Sequence, residues 1–168
     1  NPDEKLAYKT FEDYMLEGPI AAVGAACSAA STDRVNIIGY CIGGTITAAA
    51  LAYMAQKGDR RITSATFLTT LVDFEKPGDL GVFIDDKQIA GLEKKMTERG
   101  YLEGSEMATT FSMLRANDLI WSFVINNYLL GKEPFPFDLL FWNADSTRMP
   151  AAMHLYYLRM MYQCNALA

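Results

Sequence analysis

The sequence predicts an α/β protein built on parallel strands. Three observations carry this. Val35-Asn36-Ile37-Ile38-Gly39-Tyr40 is a short β-prone run, Thr45 to Ala55 is small, apolar and helical, and Arg61 to Thr70 is β-prone again. Strand, helix and strand in immediate succession form a βαβ unit, and that crossover joins parallel strands.

The remaining elements follow in chain order. Residues 1 to 9 are polar and read as a loop. Thr10 suits a helix N-cap, with Asp13 three positions later completing a capping box. Phe11, Tyr14, Met15, Ile20 and Val23 then recur at roughly helical intervals. They predict one helix to about Ala30, bent or restarted at Gly18-Pro19. Ser31-Thr32-Asp33 is a turn into the first strand. Gly58 closes the central helix.

The texture changes after Asp73. Phe74 to Asp79 is a turn-rich linker, and the βαβ rhythm ends there. Helices are expected over Ile84–Arg99, Ser105–Leu114, Leu119–Leu129 and Ala151–Ala166. Pro134 and Pro136 bracket an aromatic loop, followed by Leu139-Leu140-Phe141-Trp142-Asn143. The division is therefore 1–73, a partial α/β core, and 74–168, a mainly helical cap or lid. The aromatics of the second part suit a pocket roof or a partner surface. Amphipathic helices also bury aromatics as ordinary core, and most of them are assigned there.

Composition narrows the function. Of 168 residues, 51% are apolar and 21% charged, which is a globular balance with enough apolar material for a core. The net charge of -5, with no basic face, argues against nucleic acid as a partner. Cys27, Cys41 and Cys164 are odd in number and widely spaced, so they form neither a disulfide framework nor a metal set. His154 is the single histidine. A reducing, cytosolic compartment is expected. The start at Asn1 has no basic region followed by an apolar run, so no signal peptide is expected. No apolar stretch is long enough to span a bilayer. These features fit a soluble chain that begins inside a longer protein.

The informative pattern is Gly39-Tyr40-Cys41-Ile42-Gly43. It has the spacing of a nucleophile elbow, with Cys where Ser is usual, and it points to an α/β-hydrolase fold. The nucleophile sits on a tight strand-to-helix turn. Tiny residues two before and two after let strand and helix approach, and Gly44 extends the small surface. Cys41 then stands at a helix N-terminus, where the dipole stabilises a thiolate. The backbone N–H of Ile42 becomes an oxyanion donor. A buried structural Cys in a Gly-rich turn remains the plain alternative. A nucleotide-binding loop fits less well, because neither G-x-G-x-x-G nor G-K-[ST] is present.

A nucleophilic thiol needs a base and an orienting acid. Asp73, at the end of the second strand, is a candidate acid or a loop cap. His154 lies within an apolar helix rather than a loop, and reads as packed or surface-facing. Cys27 reads as packed among alanines, and Cys164 as partly exposed. The chain thus offers a nucleophile without an assured base.

Val35 to Thr45 closely resembles the lipase-like box of the polyhydroxyalkanoate synthases. The resemblance extends through Leu68-Thr69-Thr70-Leu71-Val72-Asp73-Phe74, Gly81 to Asp85, Phe111 to Trp121, Pro136 to Thr147 and Tyr157-Leu158-Arg159. It implies an internal piece of an α/β-hydrolase-fold catalytic domain of the class I kind, whose residues 74 to 168 form the cap. The implied reaction polymerises short-chain (R)-3-hydroxyacyl-CoA into a polyester with release of CoA, through a thioester on Cys41. Coenzyme A enters as substrate, with no separate cofactor or metal. The implied partners are the growing polyester, the granule surface and a second copy bound through the cap, in the cytoplasm.

The family's catalytic Asp and His lie beyond the matched segment, so Asp73, Asp145 and His154 do not inherit those roles. The piece alone is expected to be inactive. Two further readings stay open: a thioesterase-like hydrolase with a Cys nucleophile, and a catalytically inactive structural fragment.

Overall fold

The computed structural model describes residues 1–134, 138–139 and 145–168. The aromatic stretch expected around Pro136 and Leu140-Phe141-Trp142-Asn143 lies outside them. The first helical stretch runs from α1 (Phe11–Met15) through a π-helical segment (Leu16–Ile20) into α2 (Ala21–Ala30). Its start is the expected capping box: Thr10 Oγ1 accepts the Asp13 N–H at 3.1 Å, and the Thr10 N–H donates to Asp13 Oδ2 at 2.8 Å. Pro19 lacks an N–H and cannot join a regular ladder, so the wider turn accommodates it without ending the helix. Ser31 ends α2 in the left-handed region at φ 50°.

Strand β1 (Val35–Tyr40) pairs in parallel with β2 (Ile62–Leu68), joined by α3 (Ile42–Gln56). This is the expected βαβ unit. Val35, Ile37 and Gly39 are the more buried residues of β1, while Ile38 and Tyr40 on the alternate face are exposed. Gly58, at φ 72°, turns the chain from α3 toward β2.

Beyond Asp73 a 3₁₀ turn (Gly78–Phe83) precedes α4 (Asp86–Arg99). Asp85 caps α4 by accepting the Gln88 N–H at 2.7 Å, so the helix begins two residues after the expected Ile84. Gly100, at φ 84°, ends α4 where a Cβ would lie 2.9 Å from the Ala7 Cβ. α5 (Gly104–Leu114) follows. The expected third helix consists of two π-helical segments, Asn117–Trp121 and Val124–Leu129. The last helix is α6 (Ala151–Tyr156), continued by a π-helical segment over Tyr157–Gln163 that stops short of Ala166.

Two features escape the sequence patterns. Glu4–Leu6 forms a 3₁₀ turn instead of open loop. The pairs β3 (Tyr101–Leu102) and β4 (Met149–Pro150) form a short antiparallel bridge. Two-residue strands carry no periodicity to read. Arg148 reinforces the bridge through Glu103 at 3.0 Å and lies over the Tyr101 ring.

The core draws on both stretches that the sequence divides at Asp73. Phe11 and Met15 of α1, Ile46 and Ala50 of α3, Phe74, and Met153, Tyr157 and Met161 of the last helix form one cluster. Phe74 is 1% exposed, and full burial of such a side chain contributes about 1.5–3 kcal/mol. The last helix thereby packs over the N-terminal half of α3, which begins at the elbow. Among the described residues, no helix is long and apolar enough to cross a membrane.

Candidate functional site

Cys41 occupies the single residue between β1 and α3 and is exposed. Its backbone lies at φ 51°, ψ -127°, a region that non-glycine residues rarely enter and that costs on the order of 1–3 kcal/mol. The fold over-determines this conformation. The Cys41 N–H continues the sheet by donating to Leu68 O at 3.0 Å. The Cys41 carbonyl accepts the Gly44 N–H at 3.0 Å and the Thr45 N–H at 3.4 Å. Among the described residues, the Ile42 N–H has no hydrogen-bond partner. It is therefore available at the N-terminus of a 15-residue helix, where the macrodipole favours negative charge.

The glycines divide their work differently from the expected spacing. A Cβ on Gly39 would lie 2.5 Å from Gly44 Cα, so strand and helix meet through Gly39 and Gly44. Nothing described lies within 4 Å of a Cβ on Gly43. The tight residue after the cysteine is thus the third, not the second. A Cβ on Gly44 would also overlap the Thr70 side chain. Behind the turn, Thr45 and Thr47 are buried. Their hydroxyls donate to Leu71 O at 2.8 Å and to Gly43 O at 2.7 Å.

The last helix contributes two side chains that the sequence reading did not place at this site. Tyr157 and Tyr162 stack edge to face at 5.5 Å between centroids, and both pack against Phe74. Burial pushes both phenol pKa values up. For Tyr157 the neighbouring Tyr162 adds to the rise. Both phenols are therefore neutral. Aromatic periodicity in the last helix signals burial but not which element it faces, so no sequence signal distinguishes them.

The other sequence candidates stand apart from the thiol. Asp73 Oδ1 accepts the Glu75 N–H and the Asn165 Nδ2–H, each at 2.9 Å. Those bonds hold its carboxyl below the usual range and serve the loop-cap role. His154 is buried, with Nδ1 3.1 Å from Met149 Sδ, and burial lowers its pKa to about 4. It is packed, one of the two expected settings. Among the described residues, neither group hydrogen-bonds Cys41. Cys27 is half-buried and Cys164 is exposed.

A family model described as alpha/beta hydrolase fold matches residues 2–159. The chain is 57% identical over its whole length to a poly(3-hydroxyalkanoate) polymerase of Methylorubrum extorquens, covering 28% of that protein. It is 56% identical over its whole length to a poly(3-hydroxyalkanoate) polymerase subunit of Rhizobium meliloti, again covering 28%. To the corresponding subunit of Cupriavidus necator it is 42% identical over 99% of its length, covering 29%. The chain thus spans a little over a quarter of the length of these curated relatives and is homologous to a segment of each. Together with the parallel βαβ unit and the helical stretch after it, the family match shows that the chain belongs to the α/β-hydrolase fold family.

Proposed function

We propose that this chain is an internal segment of a polyhydroxyalkanoate synthase and carries its nucleophile, Cys41. The observation that carries the reading is the exposed thiol at the strained turn, beside an unpartnered Ile42 N–H at the head of α3. In the proposed reaction the Cys41 thiolate attacks the carbonyl carbon of an (R)-3-hydroxyacyl-CoA. The Ile42 N–H donates to the oxyanion as it forms. The carbon–sulfur bond to CoA then breaks, and CoA leaves with the proton taken from the thiol. The 3-hydroxyl oxygen of another unit next attacks the Cys41 thioester, the bond from the acyl carbon to Cys41 Sγ breaks, the hydroxyl proton passes to the released sulfur, and the polyester is lengthened.

Cysteine suits repeated transfer, because exchange between two thioesters is nearly balanced in energy. The base and acid for the proton transfers belong, in this reading, to parts of the protein outside the chain. Tyr157, Tyr162 and Phe74 form an aromatic cluster, which in this proposal backs the thiol. Such a cluster limits water, which would end the polymer by hydrolysis. Residues 74 to 168 act as the cap in this proposal. The exposed apolar side chains of the 104–130 stretch supply a contact surface for a second copy. Cytoplasmic location at the granule surface completes the assignment.

The test is CoA release from (R)-3-hydroxybutyryl-CoA by the full-length protein and its Cys41→Ala variant. Release that falls to background in the variant, with polymer as product, is the expected result. Free 3-hydroxybutyrate in place of polymer would convert the assignment to a thiol hydrolase. Undiminished release from a folded Cys41→Ala variant would end it.

A further inference from the structure

Apart from Phe74, the motif Leu68-Thr69-Thr70-Leu71-Val72-Asp73-Phe74 has no part in the proposed acyl transfer, yet it contacts the elbow at one end and Asn165, just after the last helix, at the other. Thr69 lies at φ 48°, in the left-handed region, which is uncommon for a β-branched residue. Two non-glycine residues in positive φ, Cys41 and Thr69, therefore follow the ends of the two paired strands. Such strain persists only where the surroundings enforce it, and it clusters at functional sites.

The kink at Thr69 brings Thr70 back between the strand ends. Thr70 Oγ1 lies 3.1 Å from Leu68 O, 3.3 Å from Cys41 O and 3.5 Å from Gly39 O. The one hydroxyl proton has these three carbonyls as alternative acceptors, with Leu68 O nearest and Cys41 O next. The Thr70 side chain also fills the space that Gly44 leaves open. The strap is held from behind: Thr45 Oγ1 donates to Leu71 O at 2.8 Å, and the Phe74 N–H donates to Asn165 Oδ1 at 2.7 Å.

Peptide geometry turns this contact into a constraint on the site. The Cys41 carbonyl and the Ile42 N–H belong to one planar peptide unit and point in opposite directions. The Gly44 and Thr45 N–H groups hold this carbonyl from the helix and Thr70 Oγ1 holds it from the second strand, and a group that anchors the carbonyl aims the N–H. We infer that Thr70 is a positioning residue for the elbow: its hydroxyl fixes the Cys41–Ile42 peptide and so directs the Ile42 N–H at an oxyanion formed on Cys41. The inference rests on the proposed nucleophilic role of Cys41 but not on the identity of the acyl donor.

The test compares wild type, Thr70→Val and Thr70→Ser in the full-length protein, each corrected against Cys41→Ala. Acylation is followed as p-nitrophenolate release from p-nitrophenyl butyrate, a step that builds an oxyanion. Alkylation of Cys41 by iodoacetamide, read by mass spectrometry of its peptide, builds none. Valine keeps the shape and removes the donor. Thr70→Val is expected to acylate about 10- to 100-fold more slowly, as misdirected donors and small misplacements do. Its alkylation rate stays within about 3-fold of wild type, and Thr70→Ser recovers acylation to a similar margin.

Equal acylation by wild type and Thr70→Val would overturn the inference. So would alkylation that falls in parallel with acylation, because that marks general collapse of the turn, and so would a serine variant that fails to recover. A wild-type protein that is acylated by the ester but releases no CoA from (R)-3-hydroxybutyryl-CoA sinks the synthase assignment and leaves the Thr70 comparison standing.

Discussion

The elbow and the helical arm from Gly104 to Leu129 are stabilised in opposite ways. The elbow is made by residues distant in sequence. Gly39 meets Gly44, Thr45 reaches Leu71, and Phe74 reaches Asn165. Its backbone is strained at Cys41 and Thr69, and Thr45 and Thr47 behind it are buried. Beyond its first turn, where Gly104 packs against Ser146 and Glu106 pairs with Lys95 and Arg99, the arm is held by its own ladder and by near neighbours. Ser122 bonds Asp118 O at 2.5 Å, Asn126 bonds Ser122 O at 2.9 Å, and Arg115 pairs with Asp118 three residues on. Its large apolar side chains, including Trp121, Tyr128 and Leu129, face outward. Long-range contacts fix a reacting atom within tenths of an ångström, whereas a locally held helix face can offer area to a partner. The assignment of most aromatics to the core therefore fails for the arm.

The comparison breaks first, and by most, at Phe74. Phe74→Ala removes a ring packed on Tyr157 and Tyr162, and is expected to destabilise the protein by about 3–5 kcal/mol in a denaturant titration. A loss under about 1 kcal/mol would show that the last helix does not hold the elbow wall.

His154 gives a pH test of the same packing. The folded state lowers its pKa to about 4, while the unfolded chain titrates near 6.5. Between those values only the unfolded chain takes up the proton, so stability is lost as pH falls from 6.5 to 4. The expected loss is roughly 3 kcal/mol, and His154→Phe should remove that part of the pH dependence. Identical pH profiles for the two proteins would place the ring in water.

The glycines sharpen the elbow itself. Gly39→Ala should cost about 1–3 kcal/mol by overpacking against Gly44, whereas Gly43→Ala should change stability by less than about 1 kcal/mol. Equal effects at the two positions would contradict the close approach of strand and helix through Gly39 and Gly44. The smallest change is expected on the arm. Tyr128→Ser, at a side chain 84% exposed, should alter stability by no more than about 0.5 kcal/mol and should weaken self-association in sedimentation.

Much of the elbow was legible in the chain. Glycine spacing around Cys41, a β-prone run before it and small residues after it located the turn, because the close approach excludes side chains. The capping box at Thr10 and Asp13 was legible for a similar reason, since both partners lie within one helical turn. Thr70 was not legible as a partner of Cys41, because 29 residues separate them and a threonine in a β-prone run looks ordinary. The same holds for Tyr157 and Tyr162, whose pattern predicts burial without naming the surface they cover.

The sequence by itself determined the βαβ order, the place of the strand-to-helix turn at Cys41 and the mainly helical character of the described residues beyond Asp73. These depend on local propensity, on period and on the absence of side chains at fixed spacing. Tertiary structure alone decided that Gly44 rather than Gly43 is the point of contact, that Thr70 lies against the Cys41 carbonyl, and that the last helix shares a core cluster with α3. These depend on where two distant pieces of chain come to rest, and such a position results from packing the whole core rather than from any short run of residues.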